Sequence, residues 1–240
     1  MRGHRLRLTV ALAAVCGFAL TAAYALADGV ISSAPTCASV SSCSYDAPSY
    51  TITGGQVAKF HNATISSGYS GTSHSVRAND TKTLGSKPLF ASKIIPSGGT
   101  TAVNGTQYLA PGSYVFHCAV HGPSMSATLE VVGGAPLARP KLSLEVASGK
   151  LAKVRDSGKL KAKVADSGSK ASDVALRATL GGKKLAHKSG ISVPAGTSEQ
   201  VKLKLSKKGR KALKGLDKAK VKLKATVPFG APANAKRTLH

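Results

Sequence analysis

Hydrophobic positions along this chain recur mostly at a spacing of two. In Gly112-Ser113-Tyr114-Val115-Phe116-His117-Cys118, alternation puts Tyr114, Phe116 and Cys118 on one face, and Val115 and His117 on the other. Similar runs predict strands near Tyr50–Ile52, Gln56–His61, His74–Arg77, Thr100–Val103 and Ser126–Val132, with connections rich in Gly, Ser and Asn. Further on, Val201, Leu203 and Leu205 alternate with Lys202 and Lys204. Val221, Leu223 and Ala225 alternate with Lys220, Lys222 and Lys224. One apolar and one lysine face describe a half-buried antiparallel sheet. Between those two strands, Ser206 to Leu216 reads as one or two helical turns with Ser206 as N-cap. The pattern predicts an all-β protein.

The beginning of the chain has a different texture. Arg2, Arg5 and Arg7 precede an almost wholly apolar Leu8 to Leu20, and Ala25-Leu26-Ala27 has the small-x-small form of a cleavage site. This predicts an export signal over residues 1–27, with a mature chain starting at Asp28. Retention of the segment as a membrane anchor is the rival reading, because apolar residues continue nearly to Ala27. Cys16 lies inside it, but Ala13-Ala14-Val15 makes a poor lipoprotein box.

Charge then divides the remainder. Residues 28–138 hold 5 Lys and Arg against 4 Asp and Glu, whereas residues 139–240 hold 26 against 6. Such a step predicts two domains with different surfaces. The Gly/Pro stretch 133–140 suits a linker, leaving an extension over 28–45, a first domain over 46–132 and a lysine-rich domain over 141–240. An immunoglobulin-like sandwich fits the length and strand spacing of the last. It also resembles lysine-rich sandwich modules of other exported bacterial proteins.

Cysteine arithmetic points to chemistry. After export Cys37, Cys43 and Cys118 remain, and an odd thiol outside the cell calls for an explanation. Cys37 and Cys43 can close a small disulfide loop, which leaves Cys118. Met125, the one methionine beyond the leader, follows seven positions later in Cys118-Ala119-Val120-His121-Gly122-Pro123-Ser124-Met125. A thiolate, an imidazole and a thioether on one loop are poor material for hydrolysis. They suit copper, both of whose oxidation states are satisfied by a trigonal His2Cys plane with a weak axial Met. His74, at the start of an earlier strand, can supply the second imidazole. Zinc fits less well because Met is a poor zinc ligand. Taken singly, His74 could be an ordinary strand histidine and Met125 core filler, but the unpaired Cys118 on an inward face would then go unexplained.

Across about residues 46–132 the sequence resembles a blue copper protein, a cupredoxin of the plastocyanin and amicyanin kind. The likeness runs through Gln56-Val57, His74-Ser75-Val76, Phe90-Ala91-Ser92 and Pro111-Gly112-Ser113-Tyr114-Val115-Phe116-His117-Cys118 to the ligand loop. It implies a Greek-key β-sandwich, one type 1 copper ion on His74, Cys118, His121 and Met125, and one-electron transfer between redox partner proteins. Two departures stand out. Three residues separate His121 from Met125, a length between the family's shorter and longer loops. Ser75 also stands where many members have an Asn that braces the ligand loops, and its shorter side chain is expected to brace them less well.

In this reading the exposed edge of His121 is the electron port, ringed by Ala119, Gly122 and Pro123, and the outward-facing His117 is a possible second route. Copper enzymes with linked centres need more histidines than this domain has, which argues against an enzyme. The rival functions are copper capture or delivery, and an envelope-binding module with structural copper. The basic half is expected to attract anionic envelope polymers or a lipid surface. Export and the lack of interleaved aromatics argue against nucleic acid.

Overall fold

The computed structural model describes residues 29–37, 39, 42–64, 67–68, 73–84 and 86–240. The leader expected over 1–27, with Cys16, lies outside them. Among the described residues no helix is long and apolar enough to cross a membrane. Among the described residues the regular structure is nearly all strand, as the two-residue periodicity predicts.

Among the described residues, nine strands build the first unit: β1 (Val30–Ser32), β2 (Thr36–Cys37), β3 (Ser49–Thr53), β4 (Ala58–His61), β5 (Ser67–Gly68), β6 (Arg77–Ala78), β7 (Thr100–Val103), β8 (Gly112–Cys118) and β9 (Gly122–Val132). One sheet has the order β3-β9-β8-β6 and another β1-β4-β7, while β2 and β5 form a short pair. The two larger sheets share a core that includes Ile31, Ile52, Phe60, Phe116 and Leu129. On β8, Phe116 and Cys118 are fully buried while Val115 is half exposed, so the predicted alternation holds. Edge-to-face contacts join Phe116 to Tyr45, with ring centres 4.9 Å apart, and to Phe90 at 6.2 Å.

Three expectations are adjusted. Described residues of the stretch 28–45, expected as an extension, pack with the first unit: β1 pairs in parallel with β4, and Ile31, Cys37, Cys43 and Tyr45 enter the core. The strand expected over Gln56–His61 begins only at Ala58, because Gln56 closes a turn on Thr53 and Ala58 gives its N–H to the Thr106 hydroxyl. The strand expected over His74–Arg77 is a ladder only at Arg77–Ala78. His74 is held instead by an isolated bridge, exchanging both backbone hydrogen bonds with Ile95.

The second unit follows with β10 (Leu142–Val146), α1 (Leu151–Ser157), β11 (Lys159–Asp166), β12 (Ala171–Leu180), β13 (Lys183–Val193), β14 (Ser198–Lys204), α2 (Lys207–Leu213), β15 (Ala219–Thr226) and β16 (Ala233–Leu239). Sheets β10-β11-β14 and β13-β12-β15-β16 enclose a separate aliphatic core. In the constant-type immunoglobulin arrangement the fourth strand lies on the sheet of the first; here the fourth, β13, pairs with β12 on the opposite sheet. Ser206 caps α2, its hydroxyl accepting from the Gly209 N–H at 2.9 Å. α1 was not expected; Leu151 and Val154 bury one face of it, and Gly158 ends it in the left-handed conformation.

The linker between the two units lies away from the end of β8 that carries Cys118. β9 starts beside Cys118 and runs eleven residues to the linker, which places the linker on the order of 30 Å away. There Leu137 donates its N–H to the Gln107 carbonyl. The Arg139 guanidinium lies 5.3 Å from the ring centre of Tyr108 and donates to the Phe229 carbonyl.

Candidate metal centre

Two chain turns bring the candidate ligands together. β8 delivers Cys118 inward at its end, and the hairpin to β9 pairs Cys118 with Gly122. Gly122 adopts a φ of 62°, a left-handed conformation that costs glycine little, and so sends the chain back immediately after His121. The loop is pinned by its own hydroxyls: Ser124 donates to the His121 carbonyl and Ser126 to the Pro123 carbonyl, at 2.8 and 2.7 Å. His74 comes from the bridge with Ile95, whose carbonyl also accepts from buried Asn62.

The donor atoms converge. His74 Nδ1 lies 3.2 Å from His121 Nδ1 and 3.9 Å from Cys118 Sγ. All three ligand atoms fall within 4.8 Å of one another. Bonds of about 2.0–2.1 Å to nitrogen and about 2.3 Å to a thiolate, opened at 120°, put nitrogen and sulfur about 3.8 Å apart and two nitrogens about 3.6 Å apart. The His74–Cys118 separation matches such a triangle, and the two ring nitrogens stand a few tenths of an ångström closer than it requires. Met125 is fully buried and immediately precedes Ser126, the residue that pairs with His117. Its thioether therefore belongs to the same end of the core as Cys118. The three converging donors fit a soft, three-coordinate metal.

Electrostatics prepare the site for a cation. Burial, and secondarily the neighbouring His121, lower the pKa of His74 to about 4; burial also lowers that of His121. Both rings are therefore neutral near pH 7 and offer lone pairs without first losing protons. A histidine with a depressed folded pKa contributes stability that is complete above its unfolded value and is lost as pH falls toward the folded value. The metal-free protein is thus expected to lose stability progressively between about pH 6.5 and pH 4. Denaturant midpoints at pH 7 and pH 4.5 check this, and equal midpoints would refute it.

The surrounding contacts were only partly foreseen. Ser75, expected to brace weakly, accepts the Ala119 N–H at 3.0 Å and so ties the His74 segment directly to the ligand loop. Its carbonyl accepts from the buried Tyr45 hydroxyl at 2.6 Å, and burial keeps that phenol protonated. A disulfide joins Cys37 to Cys43, with Cα atoms 4.5 Å apart and both residues buried. Both of its sulfurs lie within 4.8 Å of a ring nitrogen of His74, so the disulfide forms a wall against the candidate ligand. The sequence suggests the pairing but gives no sign of that contact.

Of the other described histidines in this unit, His117 stands partly exposed on the opposite face of β8, with Nδ1 hydrogen-bonded to the Asn79 side chain. His61 pairs with the Thr100 hydroxyl at 3.0 Å, apart from the cluster. Around half-buried His121, Ala119 and Pro123 are exposed and Val120 is 47% exposed. Ile94, next to the bridge residue Ile95, is 57% exposed.

No protein-family description matches the chain, and no curated protein does. Among solved structures, the crystal structure of dithionite-reduced auracyanin from the photosynthetic bacterium Roseiflexus castenholzii is 20% identical. The match covers 44% of this chain and 98% of that one, with a TM-score of 0.31. The BSP domain of a biofilm-associated protein is 12% identical over 72% of this chain and 25% of its own, with a TM-score of 0.22. Likenesses this distant decide neither chemistry nor function.

Proposed function

We propose that the protein is an exported one-electron carrier whose first unit is a cupredoxin holding a single type 1 copper ion on His74, Cys118, His121 and Met125. The observation that carries this reading is the convergence of ring nitrogens of His74 and His121 and the Cys118 Sγ within 4.8 Å of one another, close to the span of a trigonal metal site. Copper supplies a one-electron couple when bound. The protein's part is to keep the donors in one arrangement: Cys118 and His74 are buried, Ser75 links their two segments, and the loop hydroxyls fix His121. Little then moves when charge changes, which favours repeated cycling.

Electrons enter and leave at the exposed edge of His121. The chain neighbours Ala119, Gly122 and Pro123 carry no charge, and a partner docking there has few charges to desolvate. His117, bonded to Asn79 next to the Cys118 ligand, is a second candidate route. The basic second unit, net +20 and joined far from His121, associates with anionic envelope material and leaves the redox edge free.

The test is redox cycling of the copper-loaded protein. Carrier function predicts one electron per chain through many cycles with full retention of metal. Release of copper on reduction would instead indicate capture and delivery.

A further inference from the structure

We infer that the second unit binds a flexible linear polyanion along one defined track of its surface, made of two cationic grooves joined across β11 and β14. The inference rests on the association with anionic material proposed above and says where and how it occurs.

The first groove, of 470 Å³, lies between α1 and the outer face of the β10-β11-β14 sheet. Lys150, Lys153, Lys159, Lys161 and Lys202 line it, and no acidic residue does. The second, of 670 Å³, is lined by Lys184, His187, Lys204, Lys207 and Arg210, again with no acid. They are neighbours through the strand register, because Lys161 stands opposite Lys202 and Lys159 opposite Lys204. The step from one lysine pair to the next is about 7 Å along the strand. Arg210 lies over Gly158, beside Lys159: a Cβ there would lie 2.7 Å from the guanidinium, so glycine makes room for this cation between the grooves. The nearest acid on that sheet face, Glu145, is paired one step farther on with Lys163.

Like charges placed directly opposite one another on a sheet destabilise it. Two consecutive lysine pairs without a counter-charge are therefore costly unless something else neutralises them. Shape then selects the partner. A flat lipid surface cannot follow a channel between a helix and a sheet, and the linings hold no Phe, Tyr or Trp ring on which successive nucleic-acid bases could stack. A flexible chain with a phosphate or carboxylate on each repeat can thread both grooves and neutralise each lysine pair in turn.

The test is affinity of the purified protein for linear polyphosphate and for a polyuronate, with phosphatidylglycerol vesicles and single-stranded DNA as further probes, each at two salt concentrations. The track variant is Lys161→Glu with Lys202→Glu. A matched control, Lys222→Glu with Lys224→Glu, makes the same charge change on β15 of the other sheet. The track variant is expected to bind at least one polymer about ten-fold more weakly, with a salt dependence reduced by about one per lysine removed, and the control less than about two-fold more weakly. Whichever polymer responds identifies phosphate or carboxylate as the recognised group. If the glutamate variant does not fold, Lys161→Gln with Lys202→Gln gives the same comparison. Equal losses in track and control variants would overturn the track, leaving only diffuse attraction. Stronger binding to vesicles or DNA than to either polymer would overturn the choice of partner. No binding to any polyanion would remove the parent reading itself.

Discussion

Replacing Cys118 with Ser is expected to abolish the intense visible band that Cu(II) gives with the parent protein and to weaken copper binding by more than about 100-fold. Loss of a group that merely orients a ligand typically costs 10–100-fold in affinity, so loss of the strongest ligand must exceed that. The substitution exchanges a soft thiolate for a hydroxyl that stays protonated near neutral pH, and leaves two imidazoles and a thioether. The fold should survive, because a serine fits the buried position and has Ser75 Oγ, 3.9 Å from the sulfur, as a neighbour. Visible spectra and a copper titration of a variant with unchanged circular dichroism would read the effect. A variant that kept the band would remove Cys118 from the site.

The second large effect is expected from Cys37→Ala with Cys43→Ala. The bond closes a loop with a sequence separation of 6, which on the chain-entropy account stabilises the fold by about 2 kcal/mol. Both cysteines belong to the core that holds Phe60 and Phe116, and their sulfurs stand against the His74 ring. Removing them should lower the denaturation free energy by about that amount. It should also loosen the wall against His74 and weaken copper binding by about ten-fold. The two readouts separate a general loss of stability from a local one: unchanged affinity with lower stability would make the disulfide a structural clasp only. Parent-like values of both would refute the prediction.

These effects follow from features unequally visible in the sequence. The ends of β8 and the inward face of Cys118 were legible because period-2 alternation forces Phe116 and Cys118 to one side. The lysine faces of β14 and β15 were legible for the same reason, as was the Ser206 cap. The pairing of β1 with β4 was not, since three residues carry no usable period and parallel partners are distant in sequence. α1 left a fainter trace: Leu151 and Val154 at helical spacing before Gly158 are the start of a helix signal, but seven residues give it little length.

The candidate centre divides the same way. Cys118, His121 and Met125 share a short loop, and the spacing of soft donors exposes them directly. His74 could be joined to them only through the family resemblance or a strand count, because its approach depends on the bridge to Ile95. The contacts that hold His74 lie deeper still. Tyr45 reaches the Ser75 carbonyl across thirty residues, and Ser75 reaches Ala119 across forty-four. No local pattern encodes such contacts, since they arise only once both sheets have closed on the aromatic core.

The most direct measurement of the central claim is copper-edge X-ray absorption on the protein loaded with one equivalent of Cu(II). The account predicts two imidazole nitrogens at about 2 Å and one sulfur at a short thiolate distance, near 2.3 Å or less. A copper environment of nitrogen and oxygen alone, with no short sulfur, would contradict it.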